Sequence, residues 1–283
     1  MANAVDTKHQ GVDRVICAWE LEPGVIVDPG PASALEGLLA GLRGEPRALL
    51  LTHIHLDHAG AAGVLARRYP GLRVYVHEVG APHVIDPSRL LSSARRLYGE
   101  AMDELWGEVA PVPAERVTAL RGGEEVEACR VEYTPGHARH HVVYLEQSTG
   151  DLMTGDVAGV RIPPSELAVA PTPPPEIDVE AWLRSLELVA GLEPRRLCLT
   201  HAGGFEDVER HLADLEGWLR EAARRSEGGD AQAFDAWVRG RMGPEGDAVV
   251  ERLGRAAPPD HLWLGLERYW RKRREAEAAR AAS

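Results

Sequence analysis

Short apolar runs, each closed by glycine, proline or a charged residue, fill the first two hundred positions, and longer amphipathic stretches take over after them. A run of four to eight apolar residues bounded by turn-formers reads as a strand, and apolar spacings of three and four read as a helix. Residues 12–19 and 24–27 read as two strands joined by a turn around Glu22-Pro23-Gly24. Residues 34–42 have helical spacing and end near Gly44, residues 47–51 form a third strand, 61–69 a helix and 72–76 a fourth strand. The stretch 86–105 reads as mostly helical, with Leu90, Leu91, Leu97, Met102 and Leu105 as apolar anchors. A second group of strands follows at 117–120, 126–133, 142–145 and 151–154, with turns at Gly122-Gly123 and Ser148-Thr149-Gly150.

Residues 159–175 contain Pro163, Pro164, Pro171, Pro173, Pro174 and Pro175, too many prolines for a regular element, so a rigid loop is expected. A helix at 177–190, with Asp178 near its start, and a final strand at 196–200 complete this part. Val208, Leu212, Leu215 and Leu219 then recur at helical spacing, and Ser226-Glu227-Gly228-Gly229 marks a break. Helices are expected at 233–242, 247–253 and 259–270, and the charged, Ala-rich end at 271–283 reads as a solvated helix. The periodicity gives an α/β protein with two sheets, organised as residues 1–227 and a C-terminal helical extension at 228–283.

At 283 residues the chain can bury a sizeable core. Its net charge of −12 opposes broad binding to nucleic acid or an anionic membrane. Lys8 and Lys272 are the only lysines, a bias that carries no functional reading. Cys17, Cys129 and Cys198 sit in apolar, strand-like surroundings that suit buried thiols better than a disulfide framework. The first ten residues are polar and no run of about twenty apolar residues exists, so no signal peptide or spanning helix is expected, and a reducing cytoplasm is the expected location.

The chemistry concentrates at strand ends. The run Leu49-Leu50-Leu51-Thr52 breaks into His53-Ile54-His55-Leu56-Asp57-His58, three imidazoles and a carboxylate within six positions. Grouping them out of water is costly unless a cation compensates, and a divalent metal does so. His53 and His55 can face one point while Asp57 and His58 turn to a second, so one loop can serve two metals. Three later runs deliver further ligand types where a strand stops: Thr134-Pro135-Gly136-His137, Thr154-Gly155-Asp156 and Thr200-His201.

This motif set, HxHxDH followed by His137, Asp156 and His201, resembles the metallo-β-lactamase-fold hydrolases, and most nearly their hydroxyacylglutathione-hydrolase-like branch, over about residues 12–220. The resemblance implies a four-layer αβ/βα sandwich whose strand-end loops converge on one edge. It implies one metal on His53, His55 and His137, a second on Asp57, His58 and His201, and Asp156 bridging both. Two zinc ions fit these nitrogen and oxygen donors, and the same donors accept Fe or Mn. The implied activity is hydrolysis of an ester, thioester, lactone or phosphoester of a small molecule by a hydroxide formed from metal-held water, with Asp57 and Asp156 orienting the nucleophile or moving its proton.

Departures from the family narrow the reading. Zinc β-lactamases carry Cys where this chain has Asp156, and flavin-linked diiron reductases carry Glu where it has His55. The basic C-terminal pattern of glutathione-binding relatives is not recognisable here. A mononuclear iron persulfide dioxygenase and an RNA-processing nuclease of the same fold remain alternatives, as does a non-catalytic metal scaffold. Secondary roles stay open: Asp28 as a support near the metals or a turn-former, His141 as a substrate contact or an orienting partner, Arg139 as a contact for an anionic substrate group or a solvated cation. His77 and His83 suit structural or substrate-side roles. Tyr98, Met102 and Trp106 face packing or a pocket. Trp237, Trp263, Tyr269 and Trp270 are expected to pack on the core or on a second subunit of a homodimer, with a covering lid as the other reading.

Overall fold

The computed structural model describes residues 1–163, 165–243 and 246–281. Pro164 of the proline-rich stretch and residues 282–283 of the charged end lie outside the described residues. Among the described residues twelve strands form two six-stranded mixed sheets. The first has the order β1 (Asn3–Asp6), β2 (Cys17–Glu20), β3 (Val25–Val27), β4 (Ala48–Leu50), β5 (Arg73–His77) and β6 (Val117–Leu120). The second runs β12 (Gly203–Phe205), β11 (Arg196–Leu199), β10 (Asp151–Gly155), β9 (Val142–Glu146), β8 (Cys129–Tyr133) and β7 (Glu125–Val126). Pairing is parallel from β3 to β6 and between β10 and β11, and antiparallel elsewhere.

Side chains of successive strand residues point to opposite faces, and the central strands are apolar on both. In β4, Ala48 and Leu50 enter the layer between the sheets, while Leu49, with Leu51 just beyond, packs outward under helices. The inter-sheet layer joins Trp19, Val25, Val27 and Leu50 to Val131, Val142, Tyr144, Met153 and Cys198. The outer face of the first sheet is covered by α1 (Leu35–Gly41) and α3 (Ala62–Arg68) through Leu38, Leu65 and Ala66. Its α2 (Leu56–Ala59) is one short turn directly after β4. The outer face of the second sheet packs on α7 (Val179–Gly191) and α8 (Val208–Ser226) through Trp182, Leu186, Leu215 and Trp218. The layers are therefore helix, sheet, sheet, helix: the expected αβ/βα sandwich.

Between β5 and β6 lie α4 (Ala81–Ile85), α5 (Ser88–Tyr98) and α6 (Met102–Trp106). After α8 come α9 (Ala231–Arg241), α10 (Gly246–Leu253) and α11 (Pro259–Ala281). These last helices extend the apolar cluster of α7 and α8: Phe234, Val238, Val250, Leu253, Leu262 and Leu266 belong to the same buried group as Trp182 and Leu215. Trp237 lies 4.6 Å from Trp218, ring centre to ring centre, and Trp270 Nε1–H donates to the Ala223 carbonyl, so both aromatic residues pack on α8. Among the described residues no helix is long and apolar enough to cross a membrane.

Three sequence expectations need correction. The first strand is β1, and the stretch after it holds a short 3₁₀ turn at His9–Gly11 and no strand until Cys17. Left-handed backbone at Lys8, Gln10 and Arg14 (φ 56°, 52° and 59°) breaks the extended run that Val12, Val15 and Ile16 suggest. Nor is the strand at 196–199 the last, because β12 pairs on its free edge through Gly203, Gly204 and Phe205. All three cysteines are free and buried, and burial pushes each thiol up to about 12.

Candidate metal centre

Every element that bears a candidate ligand ends at one edge of the sandwich. β4 delivers Thr52 and His53, α2 presents Asp57 and His58, β8 leads to His137, β10 to Asp156 and β11 to His201. The turn that delivers His137 depends on Gly136 at φ 140°: a Cβ there would lie 2.3 Å from the Trp182 backbone. Gly155, before Asp156, is similarly tight, since a Cβ would stand 2.3 Å from the Thr52 hydroxyl.

The side chains form two adjoining groups, His53, His55, His137 and Asp156 in one and Asp57, His58 and His201 in the other, with the donor atoms of each group within 4.8 Å of one another. His55 Nδ1 is 3.0 Å from His53 Nε2 and 2.9 Å from His137 Nε2. Asp156 spans the groups: Oδ2 lies 3.4 Å from His137 Nε2, while Oδ1 lies 3.3 Å from His58 Nε2 and 3.5 Å from His201 Nε2. Asp57 Oδ2 closes the second group at 3.4 Å from His201 Nε2 and 3.7 Å from His58 Nε2.

The outer hydrogen bonds fix which ring nitrogens are bare. A neutral imidazole has one N–H and one lone pair. His137 Nδ1 can only donate to the Pro171 carbonyl (2.9 Å), and His201 Nδ1 only to the Val15 carbonyl (2.6 Å). His58 Nδ1 donates to the Asp28 carboxylate at 2.8 Å. The single hydroxyl proton of Thr52 goes to Asp28 Oδ2 (2.7 Å), so Thr52 Oγ1 accepts from His53 Nδ1 (3.0 Å). All four rings therefore turn a bare Nε2 inward. His58 Nε2, His201 Nε2 and Asp156 Oδ1 are buried and have no hydrogen-bond partner. Buried polar atoms normally have one. Lone pairs and carboxylates gathered this way, with outer partners orienting each ring, are the donor set of a divalent cation, and the residues present fit it.

Without such a cation the groups titrate abnormally. Burial pushes the His53 imidazole well below its usual range and takes His55 to about 4. For His58, burial acts downward but the carboxylates of Asp156, Asp57 and Asp28 overcome it and hold it well above that range. Asp156 shows the converse: burial acts upward, yet His58, His137 and His201 keep it well below the ordinary carboxylate range.

Asp28 answers one open question. It is fully buried, adopts φ 49°, and accepts hydrogen bonds from Thr52 N–H, the Thr52 and Thr200 hydroxyls and His58. His141 is fully buried, pairs with Thr134 Oγ1 (2.9 Å) and accepts the Asp156 N–H (3.2 Å), the contacts expected of an orienting partner. Arg139 borders the cavity, but its Nε–H and Nη2–H both go to Glu176 Oε1, at 3.0 and 2.7 Å. His77 stacks on Tyr133 and belongs to neither group. Sequence reasoning missed Thr52 and Thr200, although each directly precedes a ligand. The carbonyls of Val15 and Pro171 leave no side-chain signature at all.

Over the centre lies a cavity of about 1080 Å³, floored by His55, Asp57 and Asp156. Of the two carboxylates on the floor Asp57 is the more open, its side chain 18% exposed against 5% for Asp156. Residues from α5 and α6 form one wall, the 171–176 segment another, and the chain from Val250 to Leu262 a third.

With this geometry stand the comparisons. The family model of the metallo-beta-lactamase superfamily matches residues 21–201. The chain belongs to this superfamily. The protein ST1585 of Sulfurisphaera tokodaii, described as metallo-beta-lactamase fold-containing, is 31% identical over 176 residues, 59% of this chain and 65% of that protein. A hydroxyacylglutathione hydrolase of Synechococcus is 33% identical over 135 residues, 46% of this chain and 42% of the relative. The chain thus matches less than two thirds of either relative's length. Among solved structures, TTHA1429 of Thermus thermophilus superposes with a TM-score of 0.62 at 23% identity, covering 91% of this chain and 89% of that one. TTHA1623, solved in a di-iron-bound form, gives a TM-score of 0.54 at 28% identity over 71% of this chain and 93% of that one. The superfamily consists mostly of metal-dependent hydrolases, and the His and Asp groups suit its use of divalent metals.

Proposed function

We propose that this protein is a dinuclear zinc hydrolase that cleaves an ester, thioester, lactone or phosphoester of a small molecule. The supporting observation is the pair of adjoining donor groups joined by Asp156, one oxygen toward each, with the inward nitrogens left bare by their outer hydrogen bonds. A divalent metal held there would lower the pKa of bound water and polarise the scissile oxygen. The chain's own residues do the rest. Asp57, partly open at the cavity floor, takes the proton that the attacking water loses and returns it to the leaving group. Asp156, held through its N–H by His141, keeps the two groups in register. Asp28, Pro171 and Val15 keep the protons of His58, His137 and His201 on the outside, so none of these three rings points an N–H at the reacting atoms. The walls around the floor exclude bulk water and orient the substrate.

The test is metal content by plasma mass spectrometry on protein purified without added metal, followed by a screen of thioesters, lactones and phosphodiesters. About two zinc ions per chain with turnover of one class is the expected result. A single iron with oxygen consumption on persulfides would overturn it in favour of sulfur oxidation.

A further inference from the structure

The cavity's lining says more than its volume. At about 1080 Å³ it stands at the top of the range for pockets that enclose drug-sized ligands, about 300–1000 Å³. Apolar side chains dominate both flanks: Leu90, Leu97 and Trp106 on the insertion side, Val250, Pro258 and Leu262 on the C-terminal side. Several of these have a second duty in the core. Leu90 and Trp106 pack with Leu56 and Met102, and Val250 and Leu262 pack with Trp182.

Leu97 and Val79 are different. Neither belongs to an apolar cluster among the described residues, yet both border the cavity; Leu97 is half-buried and Val79 is 42% exposed. A single exposed apolar residue needs no explanation. Two that border one concavity above the floor, beside the apolar side chains of both flanks, are placed to cover a hydrocarbon group. The cavity also has a polar end. Tyr98, whose ring is held edge-on between Trp106 (5.1 Å) and His261 (5.7 Å), borders it with a hydroxyl that has no hydrogen-bond partner among the described residues. Charged side chains also border the cavity, and Arg89, Arg96, Arg239 and Arg255 among them are exposed. A polar group near the floor, with apolar side chains on both flanks, suits a molecule that is polar at one end and hydrocarbon at the other.

We infer that the cavity holds the hydrocarbon chain of a straight-chain acyl substrate, its carboxyl-derived end on the floor of His55, Asp57 and Asp156 and its chain along Leu97 and Val79. The hydrolase reading supplies the bond that is cut; the walls alone supply the group that is held.

The experiment is calorimetric titration of the metal-loaded full chain with saturated carboxylic acids from butyrate to dodecanoate, below their micelle-forming concentrations. Affinity should tighten about fourfold per added methylene until the chamber fills, the ratio that follows from burying one CH₂. A negative heat-capacity change should grow with chain length. Leu97→Gln and Val79→Ser, both at solvent-touching positions outside the core clusters, should keep the wild-type circular dichroism spectrum and flatten that slope, weakening decanoate by about fivefold each. Affinity independent of chain length would overturn the inference. So would a slope that both folded variants leave unchanged. If the slope is found but no ester, thioester or lactone is hydrolysed, the proposed reaction fails while the acyl site stands.

Discussion

Replacing Asp28 by Asn tests whether the outer hydrogen bonds hold the centre together. The change preserves size, and Asn tolerates the left-handed backbone (φ 49°) that this position adopts. Asp28 Oδ2 receives the His58 Nδ1–H and the Thr52 and Thr200 hydroxyls, whereas Oδ1 receives only the Thr52 N–H. The amide will therefore set its oxygen toward the three donors and its NH₂ toward Thr52 N–H. That leaves one buried donor without an acceptor, a cost of about 1–3 kcal/mol in stability. It also turns the His58 bond from charge-assisted to neutral, making Nε2 a poorer donor. Loss of such an outer partner typically weakens a metal about 10–100-fold, or about 1.4–2.7 kcal/mol. Because His58 belongs to the group with Asp57 and His201, that group should suffer most. A chelator-competition titration should resolve one metal close to wild-type affinity and one weakened by this factor. Unchanged affinity for both metals, alongside a lowered melting temperature, would show that Asp28 serves the fold and not the centre.

Asp156→Ala should reduce hydrolysis to the background of the uncatalysed reaction and cut metal content below two per chain, read by plasma mass spectrometry on the same preparation. Gly136→Ala should destabilise the fold by about 1–3 kcal/mol or more, since its Cβ would meet the Trp182 backbone at 2.3 Å and no side chain can move aside; urea unfolding measures this. Removing metal with a chelator should lower the melting temperature, because binding to the native state alone adds stability by mass action and the bare donors then face one another. The buried Glu20 gives a pH prediction. Burial acts upward on it, but hydrogen bonds from Arg43 and Gly24 hold it below its ordinary value of 4.5. A depressed carboxylate adds stability above its unfolded pKa and loses it as pH falls through the folded one. The stability difference between wild type and Glu20→Gln should therefore be full at neutral pH and shrink on acidification below about 4.5, followed by denaturant unfolding at each pH.

The two groups of candidate ligands were legible because their grammar is local: an apolar strand followed at once by His or Asp, four times over. The strands that were missed lack that grammar. β1 is a four-residue edge strand with one fully inward apolar residue, Val5, and β12 begins with two glycines, so neither has a β-rich signature. Both form because a neighbour supplies a free edge, β2 in one case and β11 in the other. The error at 12–16 has the opposite cause, an apolar run whose extension is interrupted by left-handed turns at Gln10 and Arg14. For His141 the sequence offered two roles of similar standing; only burial and the Asp156 N–H separate them.

The C-terminal helices were visible as helices, but not what they lean on, because amphipathic spacing names a buried face without naming its partner. Their contacts show why they matter to the centre. Thr172 Oγ1–H donates to the Leu262 carbonyl in α11 at 2.8 Å, and Gly265 approaches so closely that a Cβ would lie 1.8 Å from the Thr172 carbonyl. The neighbouring Pro171 carbonyl accepts the His137 Nδ1–H that turns Nε2 inward. α11 thus clamps the peptide that sets the protonation of a candidate ligand, while Leu262 on the same turn forms part of the cavity wall. Shape of the cavity and orientation of His137 are coupled through three consecutive links. A change in α11 that widens the cavity should therefore also loosen the orientation of His137, because the Thr172 and Pro171 carbonyl contacts move together.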